Sequence, residues 1–216
     1  MPLIPSEEIS KTVAEVLRSG QGTTGVSVDV VVTARSDHDP AATGRRLAEA
    51  AAGRRSVREY APRPLPLADI TELLDIAADF HLQHWPRGLF ARSLLVPRVA
   101  AFQVSGGAPG LYTRDSVSGR LQHRLAPAWL KRLPDRYADA PGILLISGPQ
   151  ESALPGTYRS SLVEASALGY AAWLGARTLG LGAVPFGASS NEYTEDLPPG
   201  VRHLFTLALG FPLEAT

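Results

Sequence analysis

At 216 residues and 23.0 kDa the chain has the length of one domain with an extension. A fold of that size buries on the order of 70% of its unfolded surface, enough for a core without covalent staples. The absence of cysteine excludes disulfides, thiolate metal sites, iron–sulfur clusters and a cysteine nucleophile. A formal net charge of +0 argues against a nucleic-acid binder, and 44% hydrophobic with 19% charged residues marks a folded chain rather than a disordered one.

In chain order, residues 6–19 read as a helix. Ser6 caps it, Glu7 and Glu8 suit the positive end of its dipole, Ile9, Val13, Val16 and Leu17 share a face, and Gly20 ends it. The β-branched run 26–33 reads as a strand and the polar stretch 34–43 as a linker, so residues 1–43 form an arm ahead of a domain spanning 44–216. An alanine-rich helix is expected over 44–53. After the extended break Pro62-Arg63-Pro64-Leu65-Pro66 comes an amphipathic helix over 67–80, with Ile70, Leu73, Leu74, Ile76 and Ala77 inward. Short strands are expected at 98–104, 110–114, 142–147, 182–186 and 203–209. A helix over 159–179 carries Leu162, Val163, Ala165, Leu168, Ala171, Ala172 and Leu174, apolar nearly all round, which suits a central or interface position. Strands and helices mix without βαβα alternation, the pattern of an α+β fold with a mostly antiparallel sheet.

No run of the sequence is apolar for the length of a membrane span, and the opening segment lacks a basic stretch followed by an apolar one. No membrane partner is therefore expected, and the default location is the cytoplasm. Gly20-Gln21-Gly22-Thr23-Thr24-Gly25 matches G-x-G-x-x-G literally. That motif needs a strand before it and a helix after it, and here the order is reversed, so it reads as a glycine-rich turn. His81 and His84 are spaced for a shared metal but have no third ligand in register, so no metal is expected there. Glu192, Glu195 and Asp196 read as a solvated acidic face.

The informative segment is Arg54-Arg55-Ser56-Val57-Arg58-Glu59-Tyr60. Planar guanidinium forks match phosphate oxygens, and a hydroxyl completes the set. Alone, such a cluster reads as a solvated basic turn. With the proline break and helix after it, the stretch 53–78 resembles the opening of the nitroreductase-like flavin fold. Tyr158-Arg159-Ser160-Ser161-Leu162-Val163-Glu164-Ala165 resembles that family's central helix. Leu179 to Gly187, including Pro185-Phe186-Gly187, resembles the strand after it, and Leu207 to Pro212 its closing strand. Gly110-Leu111-Tyr112-Thr113-Arg114-Asp115, with Gly119-Arg120-Leu121 beyond, is similar to one branch, the SagB-type dehydrogenases, which oxidise azolines to azoles on ribosomally made peptides. The resemblance covers about residues 44–212.

It implies a nitroreductase-like α+β fold, mostly antiparallel in its central sheet, flanked by helices and dimeric, with FMN at the interface. Arg54, Arg55, Ser56 and Arg58 would hold the FMN phosphate and ribityl chain. Pro185, Phe186 and Gly187 would lie along the isoalloxazine ring, and Gly180 and Gly182 would let helix end and strand approach closely. Tyr158 or Arg159 would contribute to catalysis. The implied partners are an identical or related subunit, forming a homodimer or heterodimer, and a modified peptide substrate.

Three departures from the branch stand out. Ser93 and Leu94 occupy positions where the branch carries glycines close to the flavin. Ser152 and Ala153 replace a Lys-Tyr pair and supply no general base. The residues after Pro212 include no counterpart of the family's C-terminal basic phosphate ligands. Two activities follow as expectations. One is an FMN-dependent dehydrogenase acting on an azoline-containing peptide. The other is a catalytically reduced relative serving as a structural or substrate-holding subunit.

Overall fold

The computed structural model describes residues 49–84, 95–114, 120–124, 126–149 and 157–213, with the side chains of 80–84 and 157–160 excepted. The expected helix 6–19, the strand 26–33, the glycine-rich turn 20–25 and the boundary at residue 43 lie outside these residues, as do Ser93, Leu94, Ser152 and Ala153.

A six-stranded antiparallel sheet organises the molecule. Its strands are β2 (Val96–Ala101), β4 (Gly110–Arg114), β5 (Leu121–Arg124), β6 (Gly142–Pro149), β7 (Gly182–Phe186) and β8 (Val201–Gly210), in the spatial order β5-β4-β2-β6-β8-β7. A separate parallel pair joins β1 (Leu65–Pro66) to β3 (Val104–Ser105). The strand expected over 98–104 is thus two strands. The N–H groups of Phe102 and Gln103 both donate to the Pro141 carbonyl, and the Gln103 carbonyl accepts from Leu65, which turns the chain out of the sheet after Ala101.

Two helices cover one face, α1 (Leu67–His84) and α3 (Thr157–Thr178). Ile70, Leu73, Leu74 and Ala77 of α1 and Ala165, Leu168, Ala172, Trp173 and Ala176 of α3 meet Val99, Leu144, Ile146 and Leu207 of the sheet. The opposite face packs on a 3₁₀ turn at Ala128–Arg132, the short helix α2 (Leu133–Arg136) and a second 3₁₀ turn at Asn191–Thr194, through Trp129, Leu130, Leu133 and Tyr193. The fold is therefore the expected α+β arrangement. The all-round apolarity of α3 divides. One side is buried in the core, while Leu162, Val163 and Tyr170 stand 40%, 60% and 42% exposed.

Two glycines fix the crossing from α3 to β7. Gly180 has φ +74° and closes a Schellman turn, with the Leu181 N–H on the Ala176 carbonyl and the Gly180 N–H on the Arg177 carbonyl. Nothing lies within 4 Å of where its Cβ would stand, so its role is the turn and not the close approach expected of it. Gly182 does make that approach: a Cβ there would fall 2.7 Å from the Val57 side chain. This contact brings the arginine-rich segment to the sheet edge.

Candidate functional site

The segment Arg54–Arg58 leaves the helical residues 49–52 in extended form and runs beside β7. Ser56 forms a parallel bridge with Ala183, and the Val57 N–H donates to the Ala183 carbonyl at 3.1 Å. The bridge sets Ser56 two residues ahead of Pro185, so the segments 54–58 and 185–187, distant in sequence, share one edge of the sheet. The frame continues past the arginines. Tyr60 bridges Pro212, the Ala61 N–H donates to Phe211 at 2.9 Å, and the Leu213 N–H donates to Glu59 at 3.1 Å. The half-buried Tyr60 hydroxyl donates to the Val57 carbonyl at 2.7 Å, and partial burial raises its pKa.

Arg54, Arg55, Ser56 and Arg58 are all exposed, and Val57 between them is the residue turned against the strand. They are not equivalent. The Arg54 guanidinium sits 4.3 Å from the Trp173 ring centroid and 5.8 Å from that of Tyr170, both on α3. Cation–π attraction of this kind holds a guanidinium over a ring while its N–H edges remain free to donate. Pro185 and Phe186 are half-buried. The Phe186 ring packs on Tyr137 at 5.3 Å, so its side chain belongs to the second core while its backbone lines the edge. Gly187 is exposed, and no atom lies within 4 Å of a Cβ built there. The edge thus carries three guanidinium forks and a hydroxyl on one segment and an open stretch of backbone at Gly187 on the other, donors of the kind that suit phosphate oxygens. Tyr158 and Arg159 fall in the first turn of α3, with side chains outside the described residues.

Behind this edge lies a buried polar cluster that the sequence did not reveal. Arg98 on β2 is 2% exposed and donates through Nη1 to both Asp196 oxygens at 2.8 Å and through Nη2 to the Tyr193 carbonyl. Its guanidinium lies 5.6 Å from the Trp129 ring. Glu192 pairs with Arg132, so the expected solvated acidic face is corrected: two of its three carboxylates tie the turn at 191–196 to the body of the fold, and Glu195 alone is exposed. His203 on β8 is fully buried. Its Nδ1 accepts from the Ser190 N–H at 3.2 Å, so the proton sits on Nε2, which faces the Phe205 carbonyl at 3.0 Å and the Thr206 hydroxyl at 2.9 Å. Burial pushes its pKa down to about 4, and Arg98, Arg136 and Arg202 act in the same sense.

The sign of the consequence follows. Below its ordinary value of 6.5 the unfolded chain binds a proton at His203 that the folded chain refuses until about pH 4. Stability is therefore full above pH 6.5 and falls as the pH drops toward 4, by about 3 kcal/mol at 1.36 kcal/mol per pH unit. Denaturant unfolding at pH 7 and pH 4.5 should show that loss in the wild type and a clearly smaller one in His203→Asn. Equal losses would remove His203 from the account.

Among the described residues no group of three His, Asp or Glu side chains could hold a metal ion, and no helix is long and apolar enough to cross a membrane. His81 and His84 lie in the last turn of α1, and their side chains fall outside the described residues. The segment that carries the branch resemblance, Gly110–Arg114, is β4, with Leu111 and Tyr112 in the core.

Comparison with known proteins adds the following. Residues 51–208 match the model of the nitroreductase family. No curated protein sequence matches the chain. A protein from Ralstonia eutropha JMP134 described as a nitroreductase superposes with a TM-score of 0.63 at 23% identity, covering 90% of this chain and 93% of its own. One from Anabaena variabilis, also described as a nitroreductase, gives 0.63 at 22% identity, covering 77% of this chain, which spans only 38% of that protein. A third, from Desulfovibrio desulfuricans, solved in complex with FMN, gives 0.50 at 18% identity and covers 82% of this chain and 88% of its own.

Proposed function

Because the chain belongs to the nitroreductase family of flavin oxidoreductases, we propose that it is an FMN-dependent dehydrogenase whose cofactor lies along the edge formed by residues 54–58 and 185–187. The observation that carries this reading is the Ser56–Ala183 bridge, which places the arginine forks and the open side of Gly187 on one strand edge. When bound, FMN supplies the acceptor for a hydride. The work of the chain is to hold and orient. Arg55 and Arg58 present forked donors to the phosphate, with the Ser56 hydroxyl beside them. Arg54, seated on Trp173 with its N–H edges free, presents a third forked donor to the phosphate. The backbone of 185–187 lies where N–H donors can stabilise charge developing on the ring. Tyr158 and Arg159 are assigned to the substrate side.

For the substrate, we favour an azoline-containing peptide, on the similarity of Gly110–Asp115 and Gly119–Leu121 to the SagB-type branch. A second subunit, identical or related, is assigned to the exposed Leu162, Val163 and Tyr170 face of α3. The second reading, a catalytically reduced relative, is favoured by Ser152 and Ala153, which offer no base where the branch carries Lys-Tyr.

Flavin loading followed by desalting tests the proposal. The protein supplemented with FMN should emerge yellow with near-stoichiometric pigment. Colourless protein overturns the flavoenzyme reading. Anaerobic mixing of the loaded protein with an azoline peptide then separates the two activities: bleaching supports the dehydrogenase, and persistent colour supports the reduced relative.

A further inference from the structure

We propose that Tyr137 and His203 are positioning residues for the segment 187–190, fixing from behind the stretch of chain that continues from the flavin-facing backbone 185–187. The inference rests on the flavin reading of that edge and adds the device that sets its geometry.

Residues 187–190 leave β7 at the open side of Gly187 and have no strand partner of their own. Two hydrogen bonds reach them from elsewhere. The Tyr137 hydroxyl donates to the Ala188 carbonyl at 2.9 Å across 51 residues of sequence. The Ser190 N–H donates to His203 Nδ1 at 3.2 Å. The two anchors support each other, since the Tyr137 ring packs on Phe186 at 5.3 Å and meets the His203 ring edge-on at 6.5 Å. Tyr193 closes the set, 5.4 Å from His203 and 6.0 Å from Tyr137.

The position of His203 is itself built. In the pairing of β6 with β8, Ser147 faces His203 and Ile146 faces Phe205, so β8 carries one extra residue at this point. Both Leu204 and Phe205 then pack on the α3 side of the sheet. In an unbroken strand residues three apart point to opposite faces; the bulge is what puts the side chains of His203 and Thr206 together. With Nε2–H directed at the Phe205 carbonyl and Thr206, Nδ1 is held as an acceptor and can only receive the Ser190 N–H. A bulge, a fixed tautomer and a hydroxyl from another element converge on a few residues beside Gly187.

Tyr137→Phe removes only the hydroxyl. His203→Leu removes the acceptor, and His203→Asn restores it, because Oδ1 of asparagine falls where Nδ1 stood. In the cofactor-free protein, amide exchange of residues 187–190 should quicken roughly two- to tenfold in Tyr137→Phe and His203→Leu, and return toward wild type in His203→Asn. Exchange in the core of α3 should be unchanged. In the FMN-loaded protein the same two variants should bind FMN two- to tenfold more weakly and shift the flavin reduction potential, with His203→Asn again reverting. Unchanged exchange at 187–190 overturns the clamp whatever the flavin does. Quickened exchange with unchanged affinity and potential overturns its role in positioning. A wild type that binds no FMN overturns the functional reading and this role together, whereas a wild type that binds while the variants match it overturns the role alone.

Discussion

Replacing Asp196 by alanine should lower the free energy of unfolding by about 3–5 kcal/mol, the range seen when one member of a buried ion pair is removed. Arg98 is 2% exposed, and both of its bonds to a carboxylate go to Asp196. Burial already works against its charge, and the adjacent Asp196 carboxylate is what offsets that. Without it the guanidinium keeps the Tyr193 carbonyl and loses its counter-charge. For a chain of this length the loss corresponds to a drop in Tm of roughly 6–20 °C. Asp196→Asn, which still accepts a hydrogen bond, should fall between wild type and alanine. The pair Arg98→Met with Asp196→Leu should recover much of the loss, because no buried charge remains. A change within about 0.5 kcal/mol for Asp196→Ala, typical of a surface substitution, would return the acidic turn to the solvated role that its composition suggests.

The second large effect is on the cofactor. Arg54→Ala combined with Arg58→Ala should weaken FMN binding by roughly 10²- to 10⁴-fold, from two charge-assisted contacts of ~1.5–3 kcal/mol each. Both residues are exposed, so the folded state should survive with only the modest loss of the Arg54–Trp173 contact, about 0.5–2 kcal/mol. The single variants separate these contributions: Arg58→Ala affects the ligand alone, while Arg54→Ala also frees the Trp173 ring. Binding to the wild type should weaken as ionic strength rises, since the site is open to screening ions. Pigment retained undiminished by the double variant would show that the phosphate lies elsewhere.

Local pattern carried most of the fold. The apolar spacing of Ile70, Leu73, Leu74 and Ala77 is visible in eighteen residues of helix, and the run at 142–147 can hardly be anything but a buried strand. The arginine cluster was equally plain as a pattern, with three guanidinium groups in the five residues 54–58. What stayed hidden depends on contacts far apart in sequence. Leu121–Arg124 alternates inward and outward, yet Gln122 and His123 mask it as a polar loop. Asp196 looks solvated until the turn at 191–194 carries it to Arg98, 98 residues away. No signal in its own neighbourhood marks Tyr137, whose partners come from β7, its following loop and β8. The aromatic pair Tyr170 and Trp173, one helical turn apart, was a readable hint of the seat that Arg54 takes.

The stitching of residues 59–61 to 211–213 has a consequence for biosynthesis. A nascent polypeptide that has emerged as far as β8 already contains every arginine of the edge, but not the segment that clamps their frame to the sheet. The frame that holds the arginine-rich segment against the sheet therefore closes only after residues 211–213 have emerged.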